Sequence, residues 1–526
     1  MSIKKTLKKI DVFLDHQTAL LLNLFLVVIL RIPNFFEPYW YGDEAIYLTI
    51  GNALNKGGQL YSTIIDHKTP LIYQLARVPN QFYFRLLNLG WMLVTTTAFW
   101  LFAKKLFKKN LPSFLATLIM VLLTTLPWLE GHIPNGELFV MGFVMVGALL
   151  FAHTKVWKNF FSKKITWPKA KRKESVLLFV SGLFFSLGIL TKVPALLDLT
   201  GFLAIFALLL LSDMLSINKK FEDWNKTLQQ LFWRILIFSL GIMLPIVISI
   251  LYYQFFASIQ DYLDYGLLYN LRYSQSWQLN LNSAFLNFSF SLLGKTLYFF
   301  AFTILIALNT KELSKRFQFI SVWFVASLYS SLLSSRPYPH YFIQMVPPFA
   351  LMLVEVFLEL KNKNRIKNFK SIASGLGLVA LTIYIMLLFN FRPYSTSKYY
   401  SQFWKMVSGQ ITKEEYDYNF NGLVRDNQKV AKLIEELGLE KIFIWGTNPM
   451  LYAQTKTVPS SRFTVAFHIK DFEDYDRTLT QIKEETPRLI VVMRNDQDTF
   501  PDLNTYLKEN YLINSEFQHM NLYLRK

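Results

Sequence analysis

The sequence predicts a mainly α-helical, polytopic membrane protein with a small extracytoplasmic α/β domain at its C-terminal end. Three observations lead there. Of 526 residues, 52% are hydrophobic and only 17% are charged, against about a quarter charged in an ordinary soluble chain. Apolar runs long enough to cross a bilayer recur through the first 391 residues. Beyond them the pattern changes to amphipathic helices alternating with short apolar strands, KIFIWG and PRLIVVM. This divides the chain into a transmembrane domain, 1–391, and an extracytoplasmic α/β domain, 392–526. Cysteine is absent, which excludes disulfides, thiol nucleophiles and Cys-ligated metals.

About eleven spans are predicted, at 17–33, 82–103, 111–129, 136–154, 175–193, 195–212, 232–254, 286–309, 317–334, 340–360 and 371–391. The N-terminal MSIKKTLKKI ahead of an apolar run has the look of a signal peptide. No small-x-small cleavage site follows, so an uncleaved first helix is expected. Of the 37 basic residues before position 392, 28 fall on one set of short loops: Lys4 to Lys9, Lys104 to Lys109, 155–174, Lys219 to Arg234, Lys311 to Arg316 and Lys361 to Lys370. The positive-inside rule makes these cytoplasmic, with the N-terminus inside and, after an odd number of helices, the C-terminal domain outside. The tail from Arg392 holds 18 basic and 18 acidic residues. The net charge of +19 therefore belongs wholly to the membrane part, where it sets orientation and meets anionic lipid heads. The partners expected on this ground are the lipid bilayer and no nucleic acid, and the location is the cell inner (cytoplasmic) membrane.

The outer loops collect the acids. In NFFEPYWYGDEAIYLTIGNALNKGG, Asp43 and Glu44 follow an aromatic cluster and open a short helix, apolar on one face and ending at Gly57-Gly58, that would lie along the membrane surface. A carboxylate pair in that position suits general-base work; Asp43 as a helix N-cap is the plainer alternative. Asp66, His67 and Lys68 follow in the same loop. Lys68 can hold a lipid phosphate or anchor the next helix at the interface, and His67 with Asp66 can bind a divalent metal or donate hydrogen bonds. The second outer loop, LEGHIPNGELF, brings Glu130, His132 and Glu137; Glu137 begins a membrane helix and can simply complement its dipole. The late loop SSRPYPHYFIQMVPP brings Arg336, His340 and Tyr341, where an arginine offers a bidentate phosphate contact or snorkels to the interface. The stretch 255–280 reads as an amphipathic surface helix.

The first-loop stretch GDEAIYLTIGNALNKGGQLYSTIIDHKTPLIYQL resembles the first periplasmic loop of the GT-C integral-membrane glycosyltransferases. Within that group it is most similar to the polyprenyl- or dolichyl-phosphate-mannose protein mannosyltransferases of glycosyltransferase family 39 and to the bacterial lipid A aminoarabinose transferases. PNGELF at 134–139, SGLFFSLGILTKVPALL at 181–197 and RPYPHYFIQMVPP at 336–348 add weaker matches in the expected order. The resemblance covers about 1–391. It implies a transferase that takes its sugar from a polyprenyl-phosphate donor at the outer membrane face. The family's Asp-Glu pair maps onto Asp43 and Glu44, with Asp43 the general base, and its Lys-x-Pro, which meets the lipid phosphate, onto Lys68 and Pro70. Arg336 matches a late-loop arginine near donor phosphate, with His340 and Tyr341 beside it. Tyr61, Asp66 and Glu137 are the remaining substrate-site candidates. In the aminoarabinose transferases a metal-ligating Glu precedes the Lys; His67 stands there in this chain as the candidate ligand for a divalent metal, and no other cofactor is expected.

The expected activity is transfer of a hexosyl or pentosyl group to a protein, glycan or lipid hydroxyl. A transporter or flippase of a lipid-linked sugar is the competing reading. It would place ionisable residues or broken helices near the bilayer midplane, whereas the acids here cluster at the outer ends.

Overall fold

A computed structural model describes residues 16–162, 165–167, 171–214, 221–275, 283–361, 369–391 and 393–526. The basic N-terminal stretch lies outside the described residues, as do Lys163, Lys164, Lys169, Lys219, Lys220, Lys363, Arg365, Lys367 and Arg392. The chain groups into two compact units. One comprises 1–31, 88–251 and 271–395, the other 32–87, 252–270 and 396–526.

Each predicted span is helical. By length and composition, seven helices among the described residues can cross a membrane: Gln17–Phe36, Gln81–Phe107, Arg172–Thr191, Val193–Asp213, Asn225–Phe256, Pro339–Lys361 and Phe369–Leu388. The predicted span at 286–309 is a pair of helices, Ala284–Phe290 and Leu292–Leu308, bent by 73°. Ser291 explains the break. Its extended backbone ends the first helix, and its Oγ caps the second by accepting from Gly294 N at 3.0 Å. Asn110–Thr125 and Gly136–Phe151 are apolar but shorter, and Lys315–Leu332 opens on two basic residues and carries four serines. The chain is a multi-pass membrane protein.

Within the first unit the core is aromatic. Phe102, Trp157, Phe202, Phe319 and Trp323 meet edge to face or tilted, with centroids 5.2–6.3 Å apart, each such pair adding about 0.5–1.5 kcal/mol beyond its buried area. Arg172–Thr191 and Phe221–Phe256 cross closely at two glycines. A Cβ on Gly182 would lie 2.3 Å from the Phe238 carbonyl oxygen, and one on Gly241 2.1 Å from that of Phe179. Small residues at such a crossing let helix backbones touch where lipid supplies no hydrophobic drive. Arg31, 2% exposed, bonds Asn88 Oδ1 (2.7 Å) and the carbonyls of Thr124 (2.9 Å) and Gly131 (2.6 Å). It thereby holds the loop that carries Glu130.

The second unit is built on helix α1 (Gly42–Asn55) and a five-stranded sheet. After β1 (Lys441–Trp445) come α2 (Pro449–Thr455), β2 (Val458–Pro459), α3 (Ala466–Phe472), β3 (Leu489–Met493), β4 (Tyr511–Glu516) and β5 (Met520–Arg525). The strand order is β2-β1-β3-β5-β4. β1 runs parallel to β2 and β3, with Phe443 opposite Ile490, while β5 is antiparallel to β3 and β4. Apart from the exposed Lys441 that opens β1, β1 and β3 are apolar because both faces are covered. Phe443, Trp445, Ile490 and Val492 pack with Ile65 and Phe463 on one side; Ile442, Ile444 and Val491 pack with Val430, Ile434 and Leu451 on the other.

Two expectations need correction. Helix α1 is not covered on one apolar face alone: ten of its fourteen residues are buried, and Asn52 Nδ2 donates to the carbonyl of Lys456 just beyond α2 (2.8 Å). The 255–280 stretch, of which 276–280 lies outside the described residues, is not one amphipathic helix. A single α-turn (Ile259–Asp261) passes into a π-helix (Tyr262–Leu268) and then a second α-segment (Tyr269–Gln275), burying Tyr262 and Tyr269.

Candidate functional site

Asp43 is not the N-cap of α1. Tyr41, in extended backbone, holds that position and Asp43 falls in the first turn, where a carboxylate still gains from the helix dipole. Its side chain is 27% exposed, and its Oδ2 accepts from Tyr47 Oη at 3.2 Å. Glu44, one residue on and 1% exposed, behaves differently. Arg85 Nε meets Oε1 and Nη2 meets Oε2, each at 2.8 Å, and Gln81 Nε2 donates to Oε2 at 2.9 Å. Both of its oxygens are spent on holding the loop to the base of the following helix.

The turn after Gly58 delivers the rest. Asp66 is fully buried. Its Oδ1 accepts from the His67 backbone N–H at 2.8 Å and lies 2.9 Å from His67 Nδ1 and 3.3 Å from His468 Nε2. Its Oδ2 accepts from Tyr73 Oη at 2.6 Å. Lys68, 5% exposed, sets its Nζ 3.6 Å from Asp66 Oδ2 and 3.7 Å from Asp43 Oδ2, so it bridges the two carboxylates. It also stands over the Tyr47 ring at 5.1 Å. Burial alone pushes the Asp66 carboxyl up, but Lys68 and then the histidines outweigh it and hold the group well below the usual carboxylate range. Burial pushes His67 below an ordinary imidazole, and His468 down to about 3. Both rings are therefore neutral at pH 7, the state in which imidazole binds metal.

Tyr61 is wholly buried. It stands at φ 70°, packs on Tyr253 and Tyr262 at 5.4 and 5.5 Å, and donates to the Lys68 carbonyl at 2.7 Å. It supports Lys68 from behind.

The other predicted residues gather in the first unit. Glu137 Oε1 pairs with Lys192 Nζ, and Lys192 stands 4.4 Å from the centre of the Tyr341 ring. Tyr341 and Tyr273 share a hydroxyl hydrogen bond of 2.9 Å, and the Arg336 guanidinium lies 4.2 Å from the Tyr273 ring centre. His340 Nδ1 meets Glu130 Oε2 at 2.5 Å. Arg336, His340, Tyr341 and Glu137 thus sit in one network, while Asp43, Glu44, Lys68, Asp66, His67 and Tyr61 share the other unit.

Several residues of these clusters, Tyr73, Tyr273, Lys192 and His468 among them, had not been picked out as site residues. Tyr73 and Tyr273 carry no local signal. Lys192 is a lysine closing a long apolar run, and His468 is a lone histidine in the apolar AFHIKDF. Asp66, His67 and His468 are a group whose ligand atoms all lie within 4.8 Å of one another. Their spacings of 2.9–3.3 Å suit two nitrogens and an oxygen sharing a cation at about 2.0–2.2 Å each. One departure is that His468 Nδ1 has no hydrogen-bond partner among the described residues, where a ligating imidazole normally has an outer partner.

The helical membrane part and small sheet share their fold with solved GT-C structures. The solved structures it resembles include ArnT, a GT-C aminoarabinose transferase, from Cupriavidus metallidurans bound to undecaprenyl phosphate. The TM-score is 0.53 at 13% identity, over 96% of this chain and 97% of that one. The apo state of the same protein matches with TM-score 0.51 at 12% identity, over the same shares. No family model matches the sequence, and no curated protein matches it either. At that identity the likeness speaks for the fold.

Proposed function

We propose that the chain is a glycosyltransferase that moves a sugar from a polyprenyl-phosphate donor to an acceptor hydroxyl at the outer face of the cytoplasmic membrane. The observation that carries the reading is the arrangement of Asp43 and Lys68. A partly exposed carboxylate stands 3.7 Å from a buried ammonium, giving one base and one cation side by side. Binding of undecaprenyl phosphate by the structurally similar ArnT supports the choice of donor.

In this scheme Asp43 takes the proton of the acceptor hydroxyl as its oxygen attacks the anomeric carbon. The bond from that carbon to the phosphate oxygen breaks, and the lipid phosphate leaves with the electron pair. Lys68 steadies the departing oxygen. Tyr47 and Lys68 orient Asp43. Glu44, locked to Arg85, fixes the first turn of α1, and Tyr61 fixes Lys68.

Asp43, Asp66 and Lys68 carry a formal charge of −1 between them, a poor setting for a phosphate. The donor set Asp66, His67 and His468 fits a divalent cation, which when bound supplies compensating positive charge. Apart from such an ion, no cofactor is needed, because the sugar arrives already activated.

The test is release of undecaprenyl phosphate from a panel of undecaprenyl-phosphate sugars by the purified chain, with and without candidate acceptors. Acceptor-dependent release is expected. Movement of the lipid-linked sugar across a vesicle membrane without release would overturn the reading in favour of a flippase.

A further inference from the structure

The second unit holds a polar cleft of about 520 Å³ that the chemistry above does not use. One wall is the turn after α1, from Ala53 to Ile64. The other is the start of β1, the edge strand β2 with Ser460 and Ser461, and the helix carrying Gln481, Glu484 and Glu485. Its volume falls in the range of small-ligand sites.

The charges in the cleft select among ligands. Lys441 is tied to Glu485 at 2.7 Å, and Lys56 donates to the Lys456 carbonyl at 2.9 Å. Glu440 and Glu484 have no ion-pair partner among the described residues. The lining therefore sets Lys56 and Lys441 against Glu440, Glu484 and Glu485, a formal charge of −1, which disfavours a phosphate or any other anion. Gln481 accepts from the Arg462 backbone N–H through Oε1 at 3.2 Å, which leaves its amide N–H₂ to donate. Ser460, 4% exposed, has a buried Oγ with no partner among the described residues. Such an orphan implies a missing hydrogen-bond partner. Ala53, Ile64, Val458 and Pro459 add apolar patches between these groups.

A peptide fits less well. Peptides commonly add a strand to a sheet edge, but the edge strand here is two residues long and ends in proline, which has no N–H to offer. Carboxylates, an amide, hydroxyls and small apolar patches instead match the alternating O–H and C–H faces of a sugar. The position matters too. Ala53 lines the cleft and Asp43 lies ten residues back on the same helix, about 15 Å along its axis, so an acceptor seated in the cleft meets Asp43 only as an oligosaccharide long enough to span that distance.

We propose that this cleft is the acceptor subsite and that it takes a neutral or amino-bearing oligosaccharide. The assignment rests on the transferase reading, and it narrows the acceptor to a glycan.

The test uses the full chain in lipid nanodiscs against an array of neutral, amino-bearing and anionic oligosaccharides, a Ser/Thr-rich peptide, and undecaprenyl phosphate. Wild type should bind neutral or amino-bearing saccharides. Glu484→Ala, outside the hydrophobic core, should weaken that binding at least tenfold while leaving undecaprenyl phosphate affinity within twofold. Glu440→Ala serves as an independent second variant. Saccharide binding that survives both variants, a preference for anionic glycans, or binding of the peptide alone would overturn the proposal. Undecaprenyl phosphate binding with no saccharide bound would sink this inference alone; failure of undecaprenyl phosphate to bind would instead sink the donor reading on which it stands.

Discussion

Asp43 and Glu44 are neighbours of the same chemistry, and the structure gives them opposite roles. Glu44→Gln leaves the Arg85 guanidinium buried with its bidentate partner neutralised; the nearest remaining carboxylate, Glu37, is 3.6 Å away. Breaking a buried ion pair from one side costs about 3–5 kcal/mol. In a unit of roughly 200 residues, where 1 kcal/mol moves Tm by about 2–4 °C, that is a loss of about 6–20 °C. Asp43 is 27% exposed with partners at 3.2 and 3.7 Å, contacts worth about 1 kcal/mol or less. Asp43→Asn should therefore melt within about 4 °C of wild type while slowing sugar transfer by roughly 10²–10⁴-fold, the usual worth of a general base. Removing its negative charge beside Lys68 should leave undecaprenyl phosphate binding equal or tighter, so the loss appears in kcat rather than KM. The assays are thermal unfolding in detergent, followed by tryptophan fluorescence, and single-turnover release of undecaprenyl phosphate. Near-normal turnover of Asp43→Asn refutes the base assignment. A collapsed Tm for Asp43→Asn together with an unchanged one for Glu44→Gln refutes the division of labour.

Lys68→Gln should weaken undecaprenyl phosphate binding by at least tenfold, read by thermophoresis with the labelled chain; unchanged affinity removes Lys68 from the phosphate site. His67→Ala and His468→Ala should each cut bound zinc or manganese, measured by elemental analysis after dialysis, and equal metal content in wild type and both variants would count against the Asp66, His67 and His468 site. With chelator present, stability should fall as pH drops from about 6.5 towards 3, because the unfolded chain binds a proton at His468 that the folded chain, with this ring pushed down to about 3, refuses. The slope from this ring is at most about 1.4 kcal/mol per pH unit, and His468→Gln should flatten it; a wild-type stability that stays level over this window contradicts the neutral buried ring.

The membrane part was legible because the signal is compositional: twenty apolar residues in a row have few other uses. The two strands β1 and β3 were legible for a similar reason, being apolar from Ile442 to Trp445 and from Leu489 to Met493. The hairpin of β4 and β5 was not, since YLINSE is mostly exposed and gains its place only by pairing with β5. Asp43, Asp66, His67 and Lys68 could be picked out together because one loop carries them all. Their roles could not be separated, since the partner that immobilises Glu44 is Arg85, 41 residues away. His468 lies 401 residues from His67 and has no spacing motif at all. Only the fold makes it a neighbour.

That distance also decides what the C-terminal segment is for. A passive cap would touch the first loop through apolar surface alone. Here Arg462 Nη2 donates to the Tyr61 carbonyl at 2.9 Å, and the Ile65 N–H donates to the Arg462 carbonyl at 2.7 Å, pairing Ile65 with Phe463. Tyr61 holds a left-handed backbone that costs a non-glycine residue about 1–3 kcal/mol, and such a conformation persists only where its surroundings impose it. Arg462 is one of those surroundings, and the Tyr61 hydroxyl in turn fixes the Lys68 carbonyl. The chain of contacts runs from Arg462 through Tyr61 to Lys68, and His468 meets Asp66 directly on the other side. The C-terminal segment is therefore a structural part of the Lys68 and Asp66 cluster, and what disturbs its Arg462 to His468 stretch should be felt at Lys68 before it is felt in the sheet.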